Sequence, residues 1–234
     1  MTAINAFQDG QFAYLACDSA YVDYDGKVVM LGFKMFAFKE HRMAVALSGA
    51  GLLPEILTGV TSDLILDQND LLKSLQTHFL QARQAAVGKR AQLEEAGLND
   101  ITMIAACFYK PETRPALFRI ASSDSTLPGS PVNQWHEVDG LHFPGEIPAR
   151  IQQKGYVDDP IIDGRALFRA QRNHTFPGIA GGRGVGGTCS IFCIGSNTFD
   201  GWDILDFSDR VGEQINMFDQ GVDVLRPIQT MIVS

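Results

Sequence analysis

The sequence predicts an α+β fold, α/β in the broad sense: two mainly antiparallel sheets stacked face to face between helix layers, a four-layer αββα sandwich formed by a single domain over residues 1–234. Three observations carry this. Short, apolar, strand-like runs fill the first fifty residues. A pair of helix-period segments follows, then strong strands, a second helix pair and strands again. That order lacks the regular strand-helix alternation of a parallel, doubly wound sheet.

Each element has a local reason. Residues 3–8 and 11–17 read as a hairpin, with Asp9-Gly10 supplying the positive φ of a tight two-residue turn. Residues 19–22 continue extended, Asp25-Gly26 turns, and residues 27–30 follow. Residues 34–38 form another short strand, Glu40-His41 turns, and residues 42–48 are apolar and rich in small side chains, as a buried strand is. Together these read as one meander building one sheet. After Gly49-Ala50-Gly51, Pro54 suits the first turn of a short helix over residues 52–57. A longer helix is predicted over 68–95, because Leu71, Leu72, Leu75, Phe79 and Ala82 recur at helical spacing. Asp67 or Asn69 is its expected cap and Gly97 its expected end.

Residues 101–109 form a strong strand, and a turn with Pro111 and Pro115 leads to its hairpin partner, 116–120. Residues 121–144 read as loop with one short strand at 135–138. Residues 147–154 and 162–172 are two helices, a glycine-rich stretch at 178–187 precedes strand 188–194, and Asp200-Gly201 turns into strand 202–207. Residues 211–234 carry no firm pattern.

Composition bounds the function. A net charge of −8 argues against a nucleic-acid partner, which needs a basic face. No apolar run reaches membrane-spanning length, and Asn5, Gln8 and Asp9 interrupt the start too early for a signal peptide, so a cytoplasmic protein without a membrane partner is expected. Cys17, Cys107, Cys189 and Cys193 lie in separate apolar runs and read as free thiols. His41, His78, His136, His142 and His174 show no ligand spacing, so neither metal nor cofactor is expected. Gly182-Arg183-Gly184-Val185-Gly186-Gly187 matches the dinucleotide fingerprint but has a helix before it and a strand after it, the reverse of what that site requires. Close backbone approach is the better reading. Asp158-Asp159 and Glu94-Glu95 read as solvated faces, and nothing marks Ser123 or Ser125 as a nucleophile.

The chemistry concentrates near the start. With Met1 removed, Thr2 carries a hydroxyl beside a free α-amine, a nucleophile with its own base. Asp18 ends the run Leu15-Ala16-Cys17-Asp18-Ser19, Lys34 opens the strand to Phe38, and Ala46-Leu47-Ser48-Gly49 closes another. These segments resemble the catalytic constellation of proteasome β-type subunits, threonine peptidases among the N-terminal nucleophile hydrolases. The resemblance implies Thr2 as nucleophile, Asp18 and Lys34 as its charged support, and the Gly49 N–H as oxyanion donor, with one extra residue near Glu40-His41. It further implies a peptide or small amide substrate and a homo-oligomer, as a ring. The second half departs from the family. Phe143-Pro144-Gly145 stands where the family has a Gly-Ser-Gly segment, and residues 181–188 lack its accessory Asp and Ser. Two functions therefore follow: a threonine hydrolase, or an inactive structural or assembly subunit with the same fold.

Overall fold

The computed structural model describes residues 2–23, 25–48, 53–86, 101–123, 129, 131–143, 145–154, 157–175 and 184–228. It is an α+β fold of antiparallel sheets with more strand than helix. In chain order the strands are β1 (Ile4–Gln8), β2 (Ala13–Cys17), β3 (Ala20–Val22), β4 (Val28–Leu31), β5 (Met35–Phe38) and β6 (Met43–Ser48). Helices α1 (Leu53–Val60) and α2 (Gln68–Ala86) precede β7 (Thr102–Tyr109), β8 (Arg114–Ala121), β9 (His136–Glu137) and β10 (Leu141–Phe143). Helices α3 (Ala149–Lys154) and α4 (Pro160–Arg172) precede β11 (Thr188–Ile194), β12 (Phe199–Asp206) and β13 (Val222–Pro227).

The opening strands do not form one sheet, as the meander predicted. β1 and β2 belong to a six-stranded sheet ordered β10-β1-β2-β11-β12-β13. β3 and β4 form a separate hairpin, and β5 and β6 start a five-stranded sheet, β5-β6-β7-β8-β9. Which sheet a strand joins depends on partners far along the chain, such as β11 beside β2, with Ser190 opposite Cys17.

Three large apolar clusters, with a small one of Ala20, Val28 and Ile215 at β3 and β4, organise these elements. Val45, Leu47, Met103 and Ile120 of the five-stranded sheet pack with Ile56, Leu71 and Phe79 of α1 and α2. Ala16, Ile191 and Ile204 of the six-stranded sheet pack with Ile151 of α3 and Phe168 of α4. A third cluster joins Ile4, Leu15 and Phe192 of the six-stranded sheet to Met35, Ile104 and Leu117 of the five-stranded one. The alternation of side chains along each strand is the cause: Ile104 and Met103 are neighbours in sequence yet serve different clusters.

Several turns differ from the sequence reading. Residues 9–12 link β1 and β2, with Gln8 opposite Ala13. Asp9 Oδ1 accepts the Gln11 and Phe12 amides at 2.7 and 2.8 Å, so a side-chain cap replaces the tight two-residue turn and Gly10 is not at positive φ. Gly26, at φ 76°, does make the turn expected of Asp25-Gly26. Asp200 and Gly201 lie inside β12, where they pair with Cys193 and Phe192, and the turn sits earlier, with the Gly195 amide donating to Thr198. Pro115 lies within β8. β10 and β13 carried too little pattern to be anticipated; both are edge strands of the six-stranded sheet.

Among the helices, Asp67 caps α2 by accepting the Asn69 and Asp70 amides at 2.8 and 2.9 Å. The remainder of the predicted 68–95 helix and Gly97 lie outside the described residues. Asp159 is a helix cap, accepting from the Ile161 and Ile162 amides with Pro160 in the first turn, so it is not merely a solvated acid. All four cysteines are free thiols, three buried and Cys193 half-buried.

One half-buried imidazole makes stability depend on pH. Burial holds the His142 imidazole below its ordinary 6.5, and its Nδ1 meets Asn5 Oδ1 at 3.0 Å. The unfolded chain therefore binds a proton there before the folded one does. This contribution is fully present above 6.5 and is lost as pH falls below 6.5 toward the lower folded value. Urea unfolding followed from about pH 7.5 to 5.5 should show declining stability, with a shallower decline in His142→Gln. Equal slopes in the two proteins contradict this account.

Candidate functional site

Asp18 and Lys34 meet in the interior. Asp18 follows the last residue of β2, Lys34 precedes the first of β5, and the two are brought together from different sheets. Both side chains are essentially inaccessible, and Lys34 Nζ lies 3.0 and 3.1 Å from Asp18 Oδ1 and Oδ2. Lys34 also donates to the Ala20 carbonyl and stands 5.0 Å from the centre of the Tyr21 ring. Burial raises the Tyr21 hydroxyl to about 12, which keeps it a neutral neighbour of this ammonium.

The carboxylate is saturated with donors. Oδ1 accepts the Ala3 amide at 2.8 Å as well as Lys34, while Oδ2 accepts the Gly186 amide at 3.1 Å and the Ala20 amide at 3.3 Å. Two charges removed from water need this many partners to persist. The Ala3 bond matters most for the site, because the peptide nitrogen that carries it is joined to Thr2. Thr2 itself is buried, 4% exposed. Gly49, the expected oxyanion donor, lies outside the described residues.

A cleft of about 20 Å³ opens beside the ion pair, lined by Asp18, Ser19, Phe33, Lys34, Thr188 and Ser190. That is room for a water. Cys17 and Cys189 sit nearby, but burial raises both thiols well above their usual range, so neither is a thiolate nucleophile near neutral pH.

The glycine-rich stretch makes a contribution that sequence reasoning reduced to close backbone approach. Gly186 gives its N–H to Asp18 and its carbonyl to the amides of Ser19 and Ala20, at 3.2 and 3.1 Å. Gly187, at φ 70°, gives its N–H to Asp209 Oδ2 at 2.8 Å. A Cβ on Gly187 would come within 2.4 Å of Ser19 Oγ, and one on Gly186 within 2.2 Å of Asp209 Oδ2. Asp209 is held in turn by Arg172 from the last turn of α4. The repeated glycines were the only sequence signal of this contact; Arg172 and Asp209 gave none. Residues 178–183 of the stretch lie outside the described residues. Among the described residues, no group of three or more His, Cys, Asp or Glu could hold a metal ion, and no helix is long and apolar enough to cross a membrane.

No protein-family model and no curated protein sequence matches the chain. Among solved structures it is similar to an Anbu (Gly-1) mutant from Hyphomicrobium sp. strain MC1, at 13% identity and a TM-score of 0.55, over 83% of this chain and 82% of that one. At that identity the likeness bears on the fold alone. It corrects the resemblance to proteasome β-type subunits: Anbu is proteasome-related but belongs to a separate lineage of N-terminal nucleophile proteins. The short segments around Asp18, Lys34 and Ser48 are what suggested the β-type family.

Proposed function

We propose that the chain is an N-terminal threonine hydrolase acting on peptides or small amides, with Thr2 as nucleophile once the Met1–Thr2 bond is cut. The observation that carries this reading is the shared Asp18 oxygen: the Ala3 amide and the Lys34 ammonium bind it at 2.8 and 3.0 Å, which brings the Thr2–Ala3 peptide next to a buried cation. The finer architecture belongs to the same proposal. Residues 1–234 form one domain, and the four layers run helix, sheet, sheet, helix. The separate apolar clusters on the two faces of each sheet support that order.

The chemistry follows from charge placement. The Thr2 hydroxyl oxygen bonds to the substrate carbonyl carbon, and its proton passes to the Thr2 α-amine, directly or through a water. A free α-amine titrates at roughly 7.7–8.0, close to what a general base needs near neutrality. The Lys34 cation favours the neutral amine and stabilises the negative charge developing on the attacking oxygen. Asp18 pairs with Lys34 and aims it. The Gly49 N–H is the proposed donor to the oxyanion. The carbon–nitrogen bond then breaks, the leaving amine takes the proton, and water hydrolyses the ester left on Thr2.

Intact mass of the purified protein and a panel of short peptide amides test the reading together. Loss of Met1 with turnover of at least one substrate is the expected result. Retention of Met1 without turnover rejects the hydrolase and leaves a structural or assembly role.

We also propose a homo-oligomer, as a ring. The apolar faces of α1 and α2 do not support it, because Leu53, Ile56, Leu71, Leu75 and Phe79 are buried in the chain's own core. Support comes instead from apolar side chains left exposed: Leu64 and Leu66 between α1 and α2, and Val29, Met30 and Phe33 at the β4 hairpin. Sedimentation at micromolar concentration should give a mass several times that of the chain, and Leu64→Asp with Leu66→Asp should lower it. A wild-type monomer contradicts the proposal.

A further inference from the structure

Arg172 and Asp209 form a second buried ion pair behind the site. Their side chains are 1% and 2% exposed, and the guanidinium forks onto the carboxylate at 2.7 and 2.9 Å. Arg172 also donates to the Val185 and Asn216 carbonyls, at 3.0 and 3.1 Å, and its guanidinium carbon lies 3.9 Å from the centre of the Phe207 ring. An ion pair withdrawn from water costs much of what its attraction returns, so net stability is a weak reason for its presence. Geometry supplies a better one. The backbone at Gly186-Gly187 runs between the two buried pairs, and its successive N–H groups point at different carboxylates: Gly186 to Asp18 at 3.1 Å, Gly187 to Asp209 at 2.8 Å. No side chain fits there, since a Cβ on Gly186 would meet both Asp209 and Arg172, at 2.2 and 3.0 Å.

We propose that Arg172 and Asp209 are positioning residues for Asp18, acting through the Gly186-Gly187 backbone. Arg172 fixes Asp209 and, through the Val185 carbonyl, the Val185–Gly186 peptide whose N–H reaches Asp18, while Asp209 fixes the next peptide by its Gly187 N–H. Asp18 then presents its other oxygen to Lys34 and to the Ala3 amide. The proposal deepens the threonine-hydrolase reading and rests on it.

Two readouts in the full chain test it. One is amide hydrogen exchange at Ala3, whose N–H touches Asp18 and not Asp209. The other is the maximal rate at which a peptide epoxyketone labels Thr2. In Asp209→Asn, exchange at Ala3 and Gly186 should quicken, and maximal labelling should slow, each by roughly tenfold, the scale of one charge-assisted hydrogen bond. The half-saturating epoxyketone concentration should be unchanged. Asp223→Asn, which removes an exposed partner of Arg169, should alter neither readout. If Asp209→Asn does not fold, Arg172→Lys serves instead, keeping the charge while losing the fork. Unchanged exchange at Ala3 in both variants overturns the proposal, and so does quickened exchange with undiminished labelling. A wild-type chain that takes no label, while Ala3 exchange still responds to Asp209→Asn, overturns the hydrolase reading and supports the clamp on Asp18.

Discussion

Lys34→Met is expected to lower unfolding free energy by about 3 kcal/mol, with an upper bound near 5, the usual cost of leaving one member of a buried ion pair uncompensated, and to abolish hydrolysis. Asp18 is the group left behind. Its side chain is inaccessible, and the single water for which the adjacent cleft has room does not restore the lost positive charge. The Ala3, Ala20 and Gly186 amides remain as donors, which places the cost toward the lower end. Methionine fills most of the volume, so the loss measures charge and hydrogen bonding and not a cavity. Converting Asp18 as well should return much of the stability, because Asp18→Asn with Lys34→Met leaves no unpaired charge at this site. Hydrolysis should not return. Urea unfolding of the single and double variants measures the first effect and a peptide amide assay the second. A single variant as stable as wild type contradicts the buried-pair account, and an active double variant contradicts the role given to Lys34.

Thr2→Ala is expected to separate the two effects: hydrolysis falls to background while stability changes by roughly 1 kcal/mol, about what one buried methyl contributes. The hydroxyl is the atom that attacks, so removing it eliminates the covalent route and does not merely slow it. Thr2→Ser keeps the hydroxyl and the α-amine and should retain measurable turnover. Equal losses in the two variants contradict a nucleophilic role, because they would show that the methyl group, and hence packing, carries the effect.

These two residues mark how far the sequence could be read. The apolar runs of β6 and β7, the helical spacing of Leu71, Leu75 and Phe79, and the Asp67 cap are encoded within a few residues of where they act, and each was legible. The Asp18–Lys34 pair was legible through the segments that carry it. Sheet membership was not. The short opening strands look alike locally, and their partners, β10 and β11, lie more than a hundred residues away. β13 carries exposed Val222 and Leu225, so no clean inside-outside alternation betrays it. Asp9-Gly10 was misread because an acid can cap a turn with its side chain as readily as glycine can supply positive φ. Asp209 looked like any loop acid. Its role exists only because α4 delivers Arg172 and the glycine backbone passes between the two charged pairs.

The central claim is that Thr2, supported by Asp18 and Lys34, is a covalent nucleophile. Treatment of the purified chain with a peptide epoxyketone, which captures an amino-terminal threonine through both its hydroxyl and its amine, followed by digestion and peptide mapping, tests it most directly. The account predicts one adduct, on Thr2 of the chain lacking Met1, absent in Lys34→Met. No adduct on Thr2 in a chain whose Met1 has been removed, or an adduct that forms equally well in Lys34→Met, would contradict it.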